Sequence, residues 1–169
     1  VQAVRDFSLD LCKGEIVCLE GDNGCGKTSV LRAIRDLQPH QGVIHKARGL
    51  KVSCIQQVEH LDTNLADYAK QRGLDVDLFL VLLAKLGFER KDFENAGTKF
   101  ASGQKKKVAL AASLCTPANL YLWDEPLNFL DIFARMQIKN LLLEYRPTML
   151  LVDHDAVFVE SVATRIVRL

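Results

Sequence analysis

Short apolar runs separated by polar and glycine-containing turns set the rhythm of this chain, and the period within each run indicates the element it builds. Phe7, Leu9 and Leu11 alternate with Ser8, Asp10 and Cys12, the period of a half-buried strand, and after Lys13-Gly14 the run EIVCLE reads as a strand buried on both faces. From Lys27 onward Val30, Leu31, Ile34 and Leu37 recur at helical spacing until Gln38-Pro39 stops them, since proline cannot continue the helical ladder. Short strands GVIH and KVSCIQ follow. The middle from Asn64 to about Gly87 shows helical patterning without a strand signal, and Leu78 to Phe88 reads as the core of that region. After FASGQKKK come a helix at VALAASL, the apolar run NLYLW, a helix over DIFARMQIKNLLLEY, a strand TMLLVD, a short helix AVFVESVAT and a last strand RIVRL. Strands alternating with helices predict an α/β fold whose mostly parallel central sheet is flanked by helices. The stretch from about 62 to 104 reads as a small helical subdomain inserted within it.

Composition narrows the setting. A chain of 169 residues with 49% apolar content can bury a sizeable core as one domain. Twenty-two Lys and Arg against 21 Asp and Glu leave a net charge of +1, so no global field favours nucleic acid or an anionic membrane. The longest apolar run, Leu78 to Ala84, is far below the roughly 18 residues that a membrane span needs. Cys12, Cys18, Cys25, Cys54 and Cys115 make an odd count without a C-x-x-C pair and sit mostly inside apolar runs, which suggests reduced core residues in a cytoplasmic protein. The chain opens at Val1, in mid-strand by its pattern, and reads as a segment of something longer.

Chemistry concentrates at three places. Gly21, Gly24, Gly26, Lys27 and Thr28 fit G-x-x-x-x-G-K-S/T, with the buried strand before and the helix after that this motif requires. Glycines let the backbone curl so that successive N–H groups converge, the helix adds its positive end, and Lys27 reaches outer phosphates. Such a loop holds a nucleoside triphosphate, and Thr28 offers a hydroxyl to Mg²⁺, a hard cation that takes oxygen ligands. Next, Leu120-Tyr121-Leu122-Trp123 runs into Asp124-Glu125, which puts two carboxylates at the C-terminal tip of a strand, where ligands sit in open α/β sheets. Period two sends the pair in different directions, Asp124 toward the metal and Glu125 toward an attacking water. Third, His154 follows TMLLVD, whereas His40, His45 and His60 read as surface or turn residues. Gln57 closes KVSCIQ in the same manner.

The ordered set GDNGCGKTS, Gln57, SGQKKKV, LWDEPLNFLD and LLVDHD resembles an ATP-binding cassette nucleotide-binding domain, from Gly14 to Leu169. That resemblance implies a P-loop NTPase fold, a single nucleotide-binding domain over residues 1–169, and Mg²⁺-dependent ATP hydrolysis by head-to-tail pairs. Each ATP is then held between the loop of one cassette and the signature of its partner. By the same resemblance Gly21, Asp22, Asn23, Gly24, Cys25, Gly26, Lys27, Thr28 and Ser29 cradle the nucleotide, and Ser102, Gly103 and Gln104 face the partner's nucleotide. Thr28, Asp124 and Gln57 serve the metal, Glu125 is the general base, His154 holds the γ-phosphate, and Asp131 belongs to a loop that communicates across the pair.

Asn128 in EPLNFLD stands where transporter subunits usually carry Ser, and the stretch from Gln57 to Ser102 is short for a subdomain that docks on membrane helices. Both resemble the ABC-F class, soluble two-cassette proteins that act on the ribosome. The runs SGQKKKV, LYLWDEPLNFLD and PTMLLVDHDAVFVE are especially similar to the C-terminal cassette of its bacterial antibiotic-resistance members. An ATPase subunit of a membrane transporter is the alternative, and an ATP-binding switch with little hydrolysis is a third reading. Lys105, Lys106 and Lys107 either meet RNA phosphates or form a solvated helix face, and no aromatics interleave them. One departure stands out: Ala101 occupies the position where the family signature has a serine that donates to the partner's γ-phosphate.

Overall fold

The computed structural model describes residues 4–58, 61–94 and 97–169, so His60 lies outside the described residues. Two compact units emerge, one formed by the chain up to Cys54 with Ala118–Glu125 and Leu142–Leu169, the other by Ile55–Pro117 with Pro126–Leu141.

The first unit is built on a parallel sheet of β1 (Ile16–Glu20), β2 (Val52–Cys54), β3 (Leu120–Asp124), β4 (Met149–Val152) and β5 (Arg165–Arg168), in the order β2-β3-β4-β1-β5. Central strands need apolar side chains on both faces, and β1 and β4 have them: Ile16, Val17, Cys18 and Leu19 are buried, as are Met149, Leu150, Leu151 and Val152. Each buried Val, Leu, Ile or Met side chain among them contributes about 1.5–3 kcal/mol. The edge strand β5 instead alternates half-buried and exposed positions. Val17, Leu19, Leu122, Leu150 and Val152 form the core together with Leu31 from α1 (Lys27–Ile34). Burial also pushes the Cys18 thiol up to about 11, so it stays protonated as a small apolar group. All five cysteines are free.

Three readings of this unit change. Phe7, Leu9 and Leu11 do turn inward while Ser8, Asp10 and Cys12 stay exposed, but residues 4–12 form no ladder. The alternation records packing on a core, and a strand requires a hydrogen-bonded neighbour as well. GVIH is likewise not a strand, and Val43 is exposed. Helix α1 stops at Ile34, with Leu37 outside it. The stop is a Schellman closure: Asp36 takes φ 59°, its N–H donates to Ala33 O at 3.0 Å, and the Leu37 N–H reaches back to Arg32 O at 3.0 Å.

The second unit is helical, with α2 (Leu65–Gln71), α3 (Val76–Lys85), α4 (Arg90–Glu94), a 3₁₀ turn at Gly97–Lys99 and α5 (Ser102–Cys115). It also takes in the part of α6 (Ile132–Tyr145) up to Leu141. Asn64 and Asp75 cap α2 and α3 by accepting from the N–H groups of Asp67 and Leu78, the first-turn donors that a helix cannot satisfy itself. Phe79, Leu82, Leu83, Leu86 and Phe88 are buried as the pattern predicts, whereas Leu78 and Val81 face outward. Tyr68 stacks on Phe79 with ring centroids 5.9 Å apart, and Phe88 meets Phe100 edge-on at 5.5 Å. Among the described residues, no helix is long and apolar enough to cross a membrane. The last helix, α7 (Ala156–Val162), returns to the first unit, where Asp155 caps it.

Candidate functional site

Three neighbouring parallel strands, β3, β4 and β1, end at the same edge of the sheet, so the loops that follow them are brought together by topology alone. The loop after β1 runs from Gly21 to Gly26. Gly26 is the N-cap of α1 at φ 113° and ψ 10°, a conformation that a Cβ disfavours, and no side chain caps the helix. The first-turn N–H groups of α1 therefore lack a side-chain acceptor at an end that already carries partial positive charge, the arrangement that binds phosphate. Asp22, Asn23 and Gly24 form the exposed crest, with the Cys25 N–H donating to Asp22 O at 3.2 Å, while Ser29 is half-buried in the first turn of α1. A Cβ on Gly21 would lie 2.7 Å from Cys25 Sγ, so the loop folds tightly on itself.

Lys27 is buried at 7% exposure, and its ammonium donates to the carbonyl oxygens of Gly21 at 2.6 Å and Asp22 at 2.9 Å. A buried cation requires such partners, and here they hold it against the inner side of the loop. Beside it, the Thr28 hydroxyl donates to Asp124 Oδ2 at 2.6 Å. One hydroxyl and one carboxylate in contact make a pair of hard oxygen donors. Among the described residues no cluster of three or more His, Cys, Asp or Glu forms a closed metal cage. That donor set suits Mg²⁺, which keeps waters and takes phosphate oxygens alongside one or two protein ligands.

Glu125 lies just beyond β3. Its N–H continues the ladder to Val152 O at 2.8 Å, yet its φ is 48°, a left-handed conformation that costs a non-glycine residue about 1–3 kcal/mol. Divergence of Asp124 and Glu125 therefore comes from this backbone reversal and not from strand period two, because Glu125 is not in the strand. His154 occupies the turn between β4 and α7, and its Nε2 lies 3.3 Å from Glu125 Oε1, both side chains about half exposed. Lys27, Thr28, Asp124, Glu125 and His154 thus gather in the first unit.

Gln57 and the signature residues belong to the second unit. Strand β2 ends at Cys54, so Gln57 does not close it; Gln57 is exposed in the following segment. The adjacent Gln56 accepts from Arg72 Nη1 at 3.2 Å, and the Arg72 guanidinium covers the Tyr68 ring at 4.5 Å. Ala101 is the N-cap of α5 and has no side-chain acceptor; only the reverse half of a capping box exists, Gln104 Oε1 accepting from the Ala101 N–H at 3.2 Å. Gln104 Nε2 donates to Asp92 Oδ1 at 3.1 Å, which engages the other end of its amide. Ser102 is exposed at the first helical position, and a Cβ on Gly103 would lie 2.7 Å from Phe129 O.

The triple lysine is not a solvated run. Lys105 and Lys106 are half-buried, and Lys107 is buried with its ammonium 2.7 Å from Asp131 Oδ2. Lys107, with help from the Ala134 N–H at 2.8 Å, holds the Asp131 carboxyl below its ordinary range. Sequence reasoning missed this pair and the contact of Gly103 with Phe129. Helical spacing was the available signal, since Gly103 and Lys107 lie one turn apart on one face.

Residues 4–128 match the family model described as ABC transporter. "ATP-binding protein Uup" of Escherichia coli (strain K12) is 32% identical, aligned over 96% of this chain and 27% of that protein. "ABC transporter F family member 2" of Arabidopsis thaliana is 27% identical over 95% of this chain and 25% of its own length. This chain thus spans about a quarter of those relatives. Among solved structures, a protein described as a cobalt transport ATP-binding protein superposes with a TM-score of 0.70 at 29% identity, covering 90% of this chain and 63% of that one. An archaeal ribosome recycling factor, solved in complex with a ribosomal stalk protein, gives 0.76 at 25% identity over 94% of this chain and 32% of the matched chain.

Proposed function

We propose, for a chain that belongs to the ABC transporter family, that Lys27, Thr28, Asp124, Glu125 and His154 form the hydrolytic half of an ABC-F type cassette acting on the ribosome. Members of this family are ATP-hydrolysing enzymes whose cassettes bind ATP with Mg²⁺ and work as pairs. The observation that carries the residue assignment is the juxtaposition of Thr28 with Asp124 at 2.6 Å and of Glu125 with His154 at 3.3 Å, at adjoining strand ends.

In this reading the curled loop, from Gly21 through Gly26, and the first turn of α1 bind the phosphates through backbone N–H groups, and Lys27 neutralises the outer two. Thr28 and Asp124 would hold Mg²⁺, with Gln57 as its sensor; the ion supplies charge neutralisation on the phosphate oxygens when bound. Phosphoryl transfer asks the protein chiefly for positioning and electrostatics. Glu125 positions and deprotonates the attacking water, and the strained backbone at Glu125 aims its carboxylate away from Asp124. His154 braces Glu125 and donates to the γ-phosphate. Ser102, Gly103 and Gln104 serve the nucleotide of a partner cassette.

The class assignment is supported by Asn128, by the short segment from Gln57 to Ser102, and by similarity to a relative described as an F family member. Similarity to the ribosome recycling factor supports the ribosome as partner. Resistance to ribosome-targeting antibiotics is the finest form of the proposal, and expression of the full-length parent in a susceptible strain tests it. A transporter ATPase remains the second reading, favoured by the cobalt transport neighbour. Co-sedimentation of the full-length Glu125→Gln parent with 70S ribosomes in the presence of ATP decides between them. Stable trapping supports the ribosome reading, and a variant that binds ATP but ignores ribosomes while fractionating with membranes supports the transporter.

A further inference from the structure

Nucleotide chemistry leaves the triple lysine of α5 unexplained, and Lys107 is unlike a surface lysine. Its side chain is only 10% exposed, which removes the ammonium from any polyanion, and it ends on Asp131 Oδ2 at 2.7 Å. Asp131 Oδ1 accepts from the Ala134 N–H at 2.8 Å and so caps α6. Both carboxylate oxygens are therefore engaged inside the same unit, and the Asp131 side chain has one orientation. One turn earlier on the same face of α5, Gly103 lies so close to Phe129 O that a Cβ would sit 2.7 Å from it. Helix α5 thus grips the turn ahead of α6 at two points, one steric and one ionic.

We infer that Lys107 is a positioning residue: it locks the turn carrying Asp131 to the N-terminal end of α5, so that residues 101–104 and Asp131 present a single rigid edge to the partner cassette. This rests on the paired-cassette reading above. Asp131→Asn is the informative partner variant, because Asn retains the helix cap while removing the charge.

The test uses the full-length parent carrying Lys107→Met, Lys107→Arg, Asp131→Asn, or Lys107→Met with Asp131→Asn. A misplacement of about 1 Å can cost about 10²-fold in rate, so Lys107→Met is expected to lower kcat by about tenfold or more. KM for ATP should change less than kcat, since the loop that cradles the phosphates lies on other elements and the edge set by Lys107 only completes the site from the partner side. Lys107→Arg should restore most of kcat, and the double variant should be no slower than the slower single one. Wild-type turnover in Lys107→Met overturns the inference. So do additive losses in the double variant, and so does a parallel collapse of kcat, KM and melting temperature that Lys107→Arg does not rescue. Loss of binding to poly(U) with unchanged kcat would assign Lys107 to RNA instead and also overturn it. Glu125→Gln separates the two levels: if it leaves turnover intact, the paired ATPase reading fails and takes this inference with it. If it abolishes turnover while Lys107→Met does not, only the inference falls.

Discussion

The nucleotide loop of the first unit and the start of α5 in the second are both helix N-termini with a glycine at or near the first turn, Gly26 and Gly103, yet they are finished differently. At the loop, Gly26 caps α1 without a side chain, Lys27 is buried against Gly21 and Asp22 O, and Thr28 and Asp124 are in contact. These are the backbone donors, the buried ammonium and the paired oxygens that the proposed phosphate and Mg²⁺ site draws on. At α5 the N-cap is Ala101, its hydroxyl position empty by composition, and Gln104 turns inward to Ala101 N and Asp92. Under the proposed function, this chain furnishes the loop side of a nucleotide site, while the face offered to a partner has no side-chain donor at its N-cap, Ala101.

Substitutions at the two sites test that contrast. The largest effect belongs to Glu125→Gln, which should lower steady-state ATP turnover of the full-length parent by about 10²–10⁴-fold while leaving ATP binding in place, as removal of a general base does. Next, Lys27→Ala removes hydrogen bonds to a charged group worth about 1.5–3 kcal/mol, so ATP affinity measured by fluorescent nucleotide displacement should fall by about one to two orders of magnitude. At α5, Gly103→Ala forces a methyl against the Phe129 carbonyl, and chemical denaturation should report a loss of about 1–3 kcal/mol. The smallest effect is a pH dependence. Lys107 lowers the folded pKa of Asp131 beneath its usual 3.8, so the pair's contribution is fully present above that value and is lost as pH falls through the lower folded value. Urea unfolding at pH 5 and pH 3 should show Asp131→Asn losing less stability than wild type between the two.

Much of this was legible in the chain because the central strands are long apolar runs with nothing else to be. EIVCLE and TMLLVD can bury both faces only inside a sheet, and their neighbours Thr28, Asp124, Glu125 and His154 follow from where those strands end. Residues 4–12 mislead because alternation reports burial and not pairing, and GVIH misleads because a short apolar pair can lie exposed in a loop, as Val43 does. The end of α1 was misread because Asp36, and not a glycine, adopts the left-handed turn. Lys107 was hidden for a different reason: its burial depends on a carboxylate distant in sequence, Asp131, which lies on another element. The direction of Glu125 was hidden as well, since a positive φ on a glutamate leaves no mark in residue type.

The contrast between the nucleotide loop and the Ala101 N-cap of α5 is tested by ATP turnover of the full-length parent carrying Ala101→Ser. A serine at that N-cap regains both the helix cap and a donor to the partner's γ-phosphate. Such a bond is worth about 1.5–3 kcal/mol, so turnover should rise by about one to two orders of magnitude. Unchanged turnover would contradict the account and mean that Ser102, or no hydroxyl at all, already suffices.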